Sequence, residues 1–201
     1  ILAVKPQYFD AVFSEIRDVV TPEQVVVSLA PGITISNITE RLGGNVRVVR
    51  AMPNTPAMLG EGMTGVSYGE ASYTEEEKET IRDIFSSCGR VELVEERLMD
   101  AVGCVSGSSP AFVYMFIEAL ADSGVKYGLP RKTAYAMAAQ TVLGSAKMIL
   151  ETGKHPGQLK DEVCSPGGTT IAGVSALEEY GLRNAVIKAA DACYEKTRRM
   201  K

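Results

Sequence analysis

The sequence predicts two domains of different class: an α/β domain built on a parallel sheet over about residues 1–95, then an all-helical domain over 96–201. Three observations predict it. Short β-branched runs alternate with helical patterns up to about Glu95, strand signals vanish from Glu96 onward, and the later helices carry apolar residues around most of their circumference. With 201 residues, 45% of them hydrophobic and 23% charged, the chain has the make-up of an ordinary globular protein of one or two domains.

The strand candidates are 1–4, 25–30, 46–52, 64–68 and 90–94. Between the first two lies 8–20, with Phe9, Val12, Phe13, Ile16 and Val20 at helical spacing. A further helix starts near Thr74, where Glu75, Glu76 and Glu77 complement the positive helix end, and closes over 83–87. Such alternation indicates a parallel sheet covered by helices. No Gly-rich phosphate loop stands ahead of the first strand. If the sheet holds a dinucleotide, its opening βαβ unit is therefore expected to be missing.

In the second domain, 110–127 reads as one helix with Phe112, Val113, Met115, Phe116, Ile117, Ala119 and Leu120 spread around it. A helix apolar on nearly all sides must be buried on nearly all sides. A second helix, 130–152, sets Ala134, Met137, Ala138, Val142, Ala146 and Ile149 on one stripe, and Gly153 and Pro156 stop it. The breadth of apolar surface favours burial against another copy of the chain over a self-contained bundle.

Charge and cysteines narrow the partners. A net charge of −4 and a pI near 5.2 argue against nucleic acid and anionic membranes. The short basic cluster Arg198, Arg199 and Lys201 reads as a solvated tail. Four cysteines without CxxC spacing and one histidine, His155, supply neither a disulfide framework nor a zinc site. The cytoplasm is the expected compartment. The longest apolar stretch, 112–121, is interrupted by Glu118 and is expected to be too short to span a bilayer.

The strongest feature is the run 161–173, DEVCSPGGTTIAG. A Ser-Pro-Gly-Gly turn precedes an apolar helical pattern through Ile171, Val174, Ala176 and Leu177, ending at Gly181. Backbone N–H groups of Gly168, Thr169 and Thr170 would then open a helix, with hydroxyls beside them. That arrangement suits a carboxylate or phosphate, because unpaired donors and the helix dipole both favour an anion. The residue types fit an ordinary Gly-Gly turn with a Thr cap equally well.

The longer run 157–178, GQLKDEVCSPGGTTIAGVSALE, closely resembles the signature of pyrroline-5-carboxylate reductases. Agreement continues through 3–6 (AVKP), 51–56 (AMPNTP), 106–111 (SGSSPA) and 124–130 (GVKYGLP), so it covers essentially the whole chain in order. The resemblance implies a Rossmann-type domain on NADPH or NADH, and a helical dimerisation domain, with dimers often assembled further. It implies hydride transfer to a cyclic imine to give L-proline, a step of amino-acid biosynthesis. Cofactor contacts are carried onto Ala3, Val4, Lys5 and Pro6, onto Leu29, Ala30 and Pro31, and onto Asn54 on the nicotinamide side. Asp161 and Glu162 match further positions near the cofactor. The substrate carboxylate is assigned to Ser165 and the amides of Gly168, Thr169 and Thr170, and Glu96 matches an acid near the substrate ring. Thr170 is the candidate hydrogen-bond donor to the ring nitrogen, by polarisation or water relay rather than true acid catalysis.

Two departures stand out. Ser109 occupies a position that is usually glycine in the family, where it could narrow the site or cap the following helix, and the phosphate loop is absent. Other residues default to plainer roles. Cys164 reads as a small buried thiol, His155 as a surface or capping residue, and Tyr68 and Tyr73 as packing. Lys147 is followed four residues later by Glu151, where hydroxyacid dehydrogenases carry asparagine, which argues against those enzymes. A non-catalytic dimerisation or regulatory module derived from the reductases is the remaining alternative.

Overall fold

The computed structural model describes residues 1–199. Its packing separates two compact units, Ile1–Pro110 with the last part of the chain from Ala190, and Ala111–Ala189. By packing, the division falls at 110/111, while the change from strands to helices falls between Leu93 and Glu96. Strand signals do end near Glu95, but the helical segment after it stays packed on the sheet.

In the first unit, α1 (Phe9–Ile16), β1 (Val25–Ser28), α2 (Ile35–Arg41), β2 (Arg47–Met52), β3 (Gly62–Tyr68), α3 (Glu75–Ser86) and β4 (Gly89–Leu93) follow in chain order. The strands lie side by side as β1-β2-β3-β4. β1 and β2 are parallel, as are β3 and β4, but β2 and β3 are antiparallel. The sheet is thus Rossmann-like with one reversed pair. The cause lies in the connection, residues 53–61, which is too short for the dozen or more residues of a parallel crossover. The expected first strand contracts to a single parallel bridge, Leu2 to Ser28, closed by Leu2 N–H to Val27 O and Leu29 N–H to Leu2 O.

Period-2 alternation sends β2's side chains to two cores. Val48 joins Phe9, Phe13, Val26, Ile38 and Leu42 under α1 and α2. Val49 and Ala51 join Val27, Val66, Ile81 and Phe85 under α3. Phe9 and Phe13 meet edge to face, with centroids 5.1 Å apart. α3 opens on a full capping box, with Thr74 Oγ1 accepting from Glu77 N–H and the Glu77 carboxylate accepting from Thr74 N–H. Tyr68 and Tyr73 do pack there, also edge to face, and the Tyr73 hydroxyl donates to Val48 O. Burial pushes both phenols above their ordinary range.

After β4, a helical segment crosses back over the sheet: a single 3-10 turn at Glu96–Leu98, α4 (Met99–Val102) and a π-turn at Gly103–Gly107. Gly65 makes room for it, since a Cβ there would stand 2.7 Å from a Val102 methyl. The Ser109 hydroxyl donates back to Val105 O within this run, so it does not act as an N-cap.

The second unit holds most of α5 (Ser109–Lys126), then α6 (Arg131–Thr152), α7 (Pro156–Val163), α8 (Thr169–Glu179) and the start of α9 (Leu182–Arg198). Its own core is small. Ala121, Ala134 and Ala138 are buried, with Ile117 and Val125 against them, while Met115, Phe116, Met137, Leu143, Leu150 and Ile187 stay exposed. By length and composition alone, the helical run Glu96–Lys126 is apolar enough to cross a membrane, contrary to the sequence expectation. The physical reason is that α4 and the π-turn extend the apolar stretch beyond 112–121. His155 caps α7, its Nδ1 accepting from Gly157 N–H at 3.0 Å, and Lys147 and Glu151 form an ordinary exposed pair. The basic tail residue Lys201 lies outside the described residues.

Candidate functional site

Two places concentrate the residues singled out by the sequence, one in each unit. In the first unit the Leu2–Ser28 bridge is parallel, so Ala3, Val4, Lys5 and Pro6 leave the sheet at the same end as Leu29, Ala30 and Pro31. β2 is parallel to β1 and delivers Pro53 and Asn54 there too. Three neighbouring carboxyl ends thus open on one side, where open α/β sheets bind ligands. Ala3, Val4 and Lys5 are exposed, Leu29 and Pro31 are half-buried and Ala30 is buried. This loop set fits an extended nucleotide laid along backbone groups.

Asn54 makes two hydrogen bonds within this unit. Its Oδ1 accepts from Met63 N–H at 2.9 Å and its Nδ2 donates to Ser106 O at 3.0 Å. The side chain therefore pins the 55–61 turn and the π-turn. One Nδ2 hydrogen and one Oδ1 lone pair are used inside the protein, and one of each remains for a ligand.

Glu96 is tied more tightly than its sequence assignment suggests. Its Oε1 accepts from Ile35 N–H at 2.7 Å and from Arg50 Nη1 at 3.1 Å. Arg50 is fully buried in β2, with Ser28 and Ser67 as its register neighbours on either side. Sequence reasoning missed Arg50. The available signal was a guanidinium inside an otherwise apolar strand, VVRAM, of a sheet covered on both faces. Arg50 is buried while the Glu96 carboxylate is one-third exposed, so water screens one side of the pair. A cleft of about 740 Å³ in this unit runs beside α2 between Ser36, Glu40, Arg47, Gly69 and Tyr73. It does not include the loops at the carboxyl ends.

In the second unit the turn 165–168 leads into α8, whose N-cap Gly168 carries no side-chain cap. Helix geometry leaves the first-turn N–H groups of Thr169, Thr170 and Ile171 without intrahelical partners. One expectation needs correction. The Gly168 amide already donates to Ser165 O at 3.0 Å, because the turn closes on itself, so Gly168 contributes space rather than a donor. A Cβ on Gly168 would lie 2.4 Å from Ser165 Oγ. The Ser165 hydroxyl thus sits over the opening of the helix, with Thr169 exposed and Thr170 half-buried. Asp161 and Glu162 face cationic neighbours of their own. Asp161 pairs with Lys160, while Glu162 takes Lys154 at 2.8 Å and Gln158 at 3.1 Å. The Lys154 ammonium holds the Glu162 carboxyl below its ordinary range. Among the described residues, no group of three or more potential ligands could hold a metal ion.

A Rossmann-like sheet with open carboxyl ends, joined to a helical unit that bares its apolar faces and an anion-receptive helix start, defines a nicotinamide-dependent oxidoreductase that works as a homo-oligomer. Residues 96–200 match the family model described as pyrroline-5-carboxylate reductase dimerisation. The chain is 50% identical over 198 residues to the pyrroline-5-carboxylate reductase of Escherichia coli K12, covering 98% of this chain and 73% of that protein. It is 49% identical over 195 residues to the enzyme of Methanosarcina acetivorans, covering 95% and 72%. The structure of Plasmodium falciparum pyrroline carboxylate reductase with NADP bound superposes with a TM-score of 0.90 at 35% identity, over 98% of this chain and 79% of that one. That of Coxiella burnetii gives 0.91 at 37% identity, over 100% and 74%. The chain belongs to the pyrroline-5-carboxylate reductase family. Its broad exposed apolar surface is accordingly a dimerisation surface, which accounts for the membrane-like composition of Glu96–Lys126.

Proposed function

We propose that the protein reduces pyrroline-5-carboxylate to L-proline with NADPH. The observation that carries the reading is the uncapped start of α8 beneath the Ser165 hydroxyl, in a chain of this family. Residues 3–6, 29–31 and 53–54 hold the cofactor through backbone groups at the sheet's carboxyl ends. NADPH, when bound there, supplies the hydride. Ser165 Oγ and the amides of Thr169 and Thr170 hold the substrate carboxylate, where partial positive charge at the helix start favours it. Hydride addition at the imine carbon builds negative charge on the ring nitrogen unless that atom is protonated or hydrogen-bonded. The Thr170 hydroxyl donates to that nitrogen. A hydroxyl is too weak an acid to surrender its proton outright, so it polarises the bond and water delivers the proton. A fixed substrate orientation lowers the barrier further, since no covalent intermediate is required. The cytoplasm is the proposed compartment, supported by four cysteines that all stay free thiols.

The test is NADPH oxidation by the assembled enzyme with pyrroline-5-carboxylate, with proline identified chromatographically. Turnover is expected, and Thr170→Ala lowers kcat/KM by about one to two orders of magnitude. Absence of proline formation overturns the reading, and an unchanged kcat/KM in Thr170→Ala removes that hydroxyl from it.

A further inference from the structure

We infer that Arg50 is a positioning residue for the cofactor, acting through Glu96 on the turn that leaves β1; the inference deepens the reductase reading and rests on it. The side chain of Arg50 is only 2% exposed. Its Nη1 reaches Glu96 Oε1, but its Nε and Nη2 find no hydrogen-bond partner among the described residues. A buried guanidinium with two unmet donors is a standing cost that packing alone does not require. The neighbours of Arg50 on the same face of β2 are Val48 and Met52, both buried and apolar, so an aliphatic chain would fill this place.

What Arg50 does achieve is the placement of one carboxylate. The same Oε1 that meets Arg50 accepts from Ile35 N–H at 2.7 Å. Ile35 is the first residue of α2 and follows Thr34, its N-cap. The segment 29–34 therefore has one end fixed by β1, through Leu29 N–H to Leu2 O, and the other fixed by Glu96. That segment begins with Leu29, Ala30 and Pro31, the second cofactor loop. Arg50 also stands two residues ahead of Met52, where β2 gives way to Pro53 and Asn54. A single buried cation thus stands behind two of the three loops assigned to the cofactor.

The decisive measurement is a double-mutant cycle in the assembled enzyme, using Arg50→Met, Glu96→Gln and the pair, with NADPH affinity read by fluorescence titration and by KM. Arg50→Met is expected to raise the Kd and KM for NADPH about tenfold, as loss of a charge-assisted hydrogen bond would, while kcat changes less than about threefold. Arg50→Lys is expected to restore most of that loss. The double variant is expected to bind NADPH no worse than the weaker single one, because both changes cut the same link. Unchanged NADPH affinity in Arg50→Met, or losses that multiply in the pair, would overturn the proposal. So would a variant that only melts earlier while its affinity stays intact. If Arg50→Met does not fold, Arg50→Lys against Glu96→Gln gives the same reading on a smaller scale. NADPH binding is measured without the second substrate, so failure of the imine assay and failure of this positioning role are told apart.

Discussion

The two units solve the burial problem in opposite ways. Residues 1–110 enclose two cores, one on each face of the sheet, containing Phe9, Phe13, Ile38 and Val48 on one side and Val49, Val66, Ile81 and Phe85 on the other. The helical unit encloses three alanines and leaves Met115, Met137, Leu143 and Ile187 each more than half exposed. At roughly 1.5–3 kcal/mol for each large apolar side chain fully buried, the helices forgo in isolation what the sheet already has. The lesson is a division of labour. The sheet buries its two cores within one chain, whereas the anion-receptive turn stands on helices completed by a second copy.

The sharpest way to break that comparison is a charge in the helical surface. Met115→Asp is expected to abolish assembly, seen as a monomer by light scattering, and to lower activity on the order of 100-fold. NADPH affinity is expected to hold within about threefold; its collapse would show that the sheet unit depends on assembly too. Gly168→Ala probes the second unit without touching its scaffold. The new methyl would crowd Ser165 Oγ, so KM for the imine should rise about tenfold while the size of the assembly stays the same. A Gly168→Ala enzyme with normal KM would deny Ser165 its part in holding the substrate.

The smallest effect tests the self-sufficient side. Thr74→Ala removes half of the α3 capping box and should cost about 1 kcal/mol in denaturant unfolding. The Glu77 carboxyl is held below its ordinary range, first by the Thr74 backbone N–H and also by Arg47. A carboxyl with a lowered folded value stabilises the fold above its ordinary range, and that stability is lost as pH falls through the lowered value. The cap is therefore at full strength at neutral pH and weakens only in acid, so Glu77→Gln should flatten the acid limb of the stability curve.

Much of this was legible in the sequence, and the exceptions have physical causes. β-branched runs located all four strands to within two residues of their observed ends, because alternation and turn residues are local signals. Strand direction is not local, and the reversed β3 was hidden in the length of the 53–61 connection. α2 escaped notice because its seven residues bury only Ile38, too little for a periodic pattern. The turn ahead of α8 was readable from its glycines, yet the inward use of the Gly168 amide depends on how the turn closes. Asn54 is the instructive case. Its identity pointed to a ligand, and the fold also uses its amide to tie Met63 to Ser106, which only the tertiary structure reveals. Arg50 lay in plain view and was passed over, since a strand pattern tolerates one charged residue without saying what lies beneath it.

A helical unit that buries little more than Ala121, Ala134 and Ala138 has a consequence beyond catalysis. Its thermal midpoint is tied to how many chains share the solution, since mass action governs any fold finished by association. Dilution, an inert operation for a self-contained enzyme, here erodes the folded state itself.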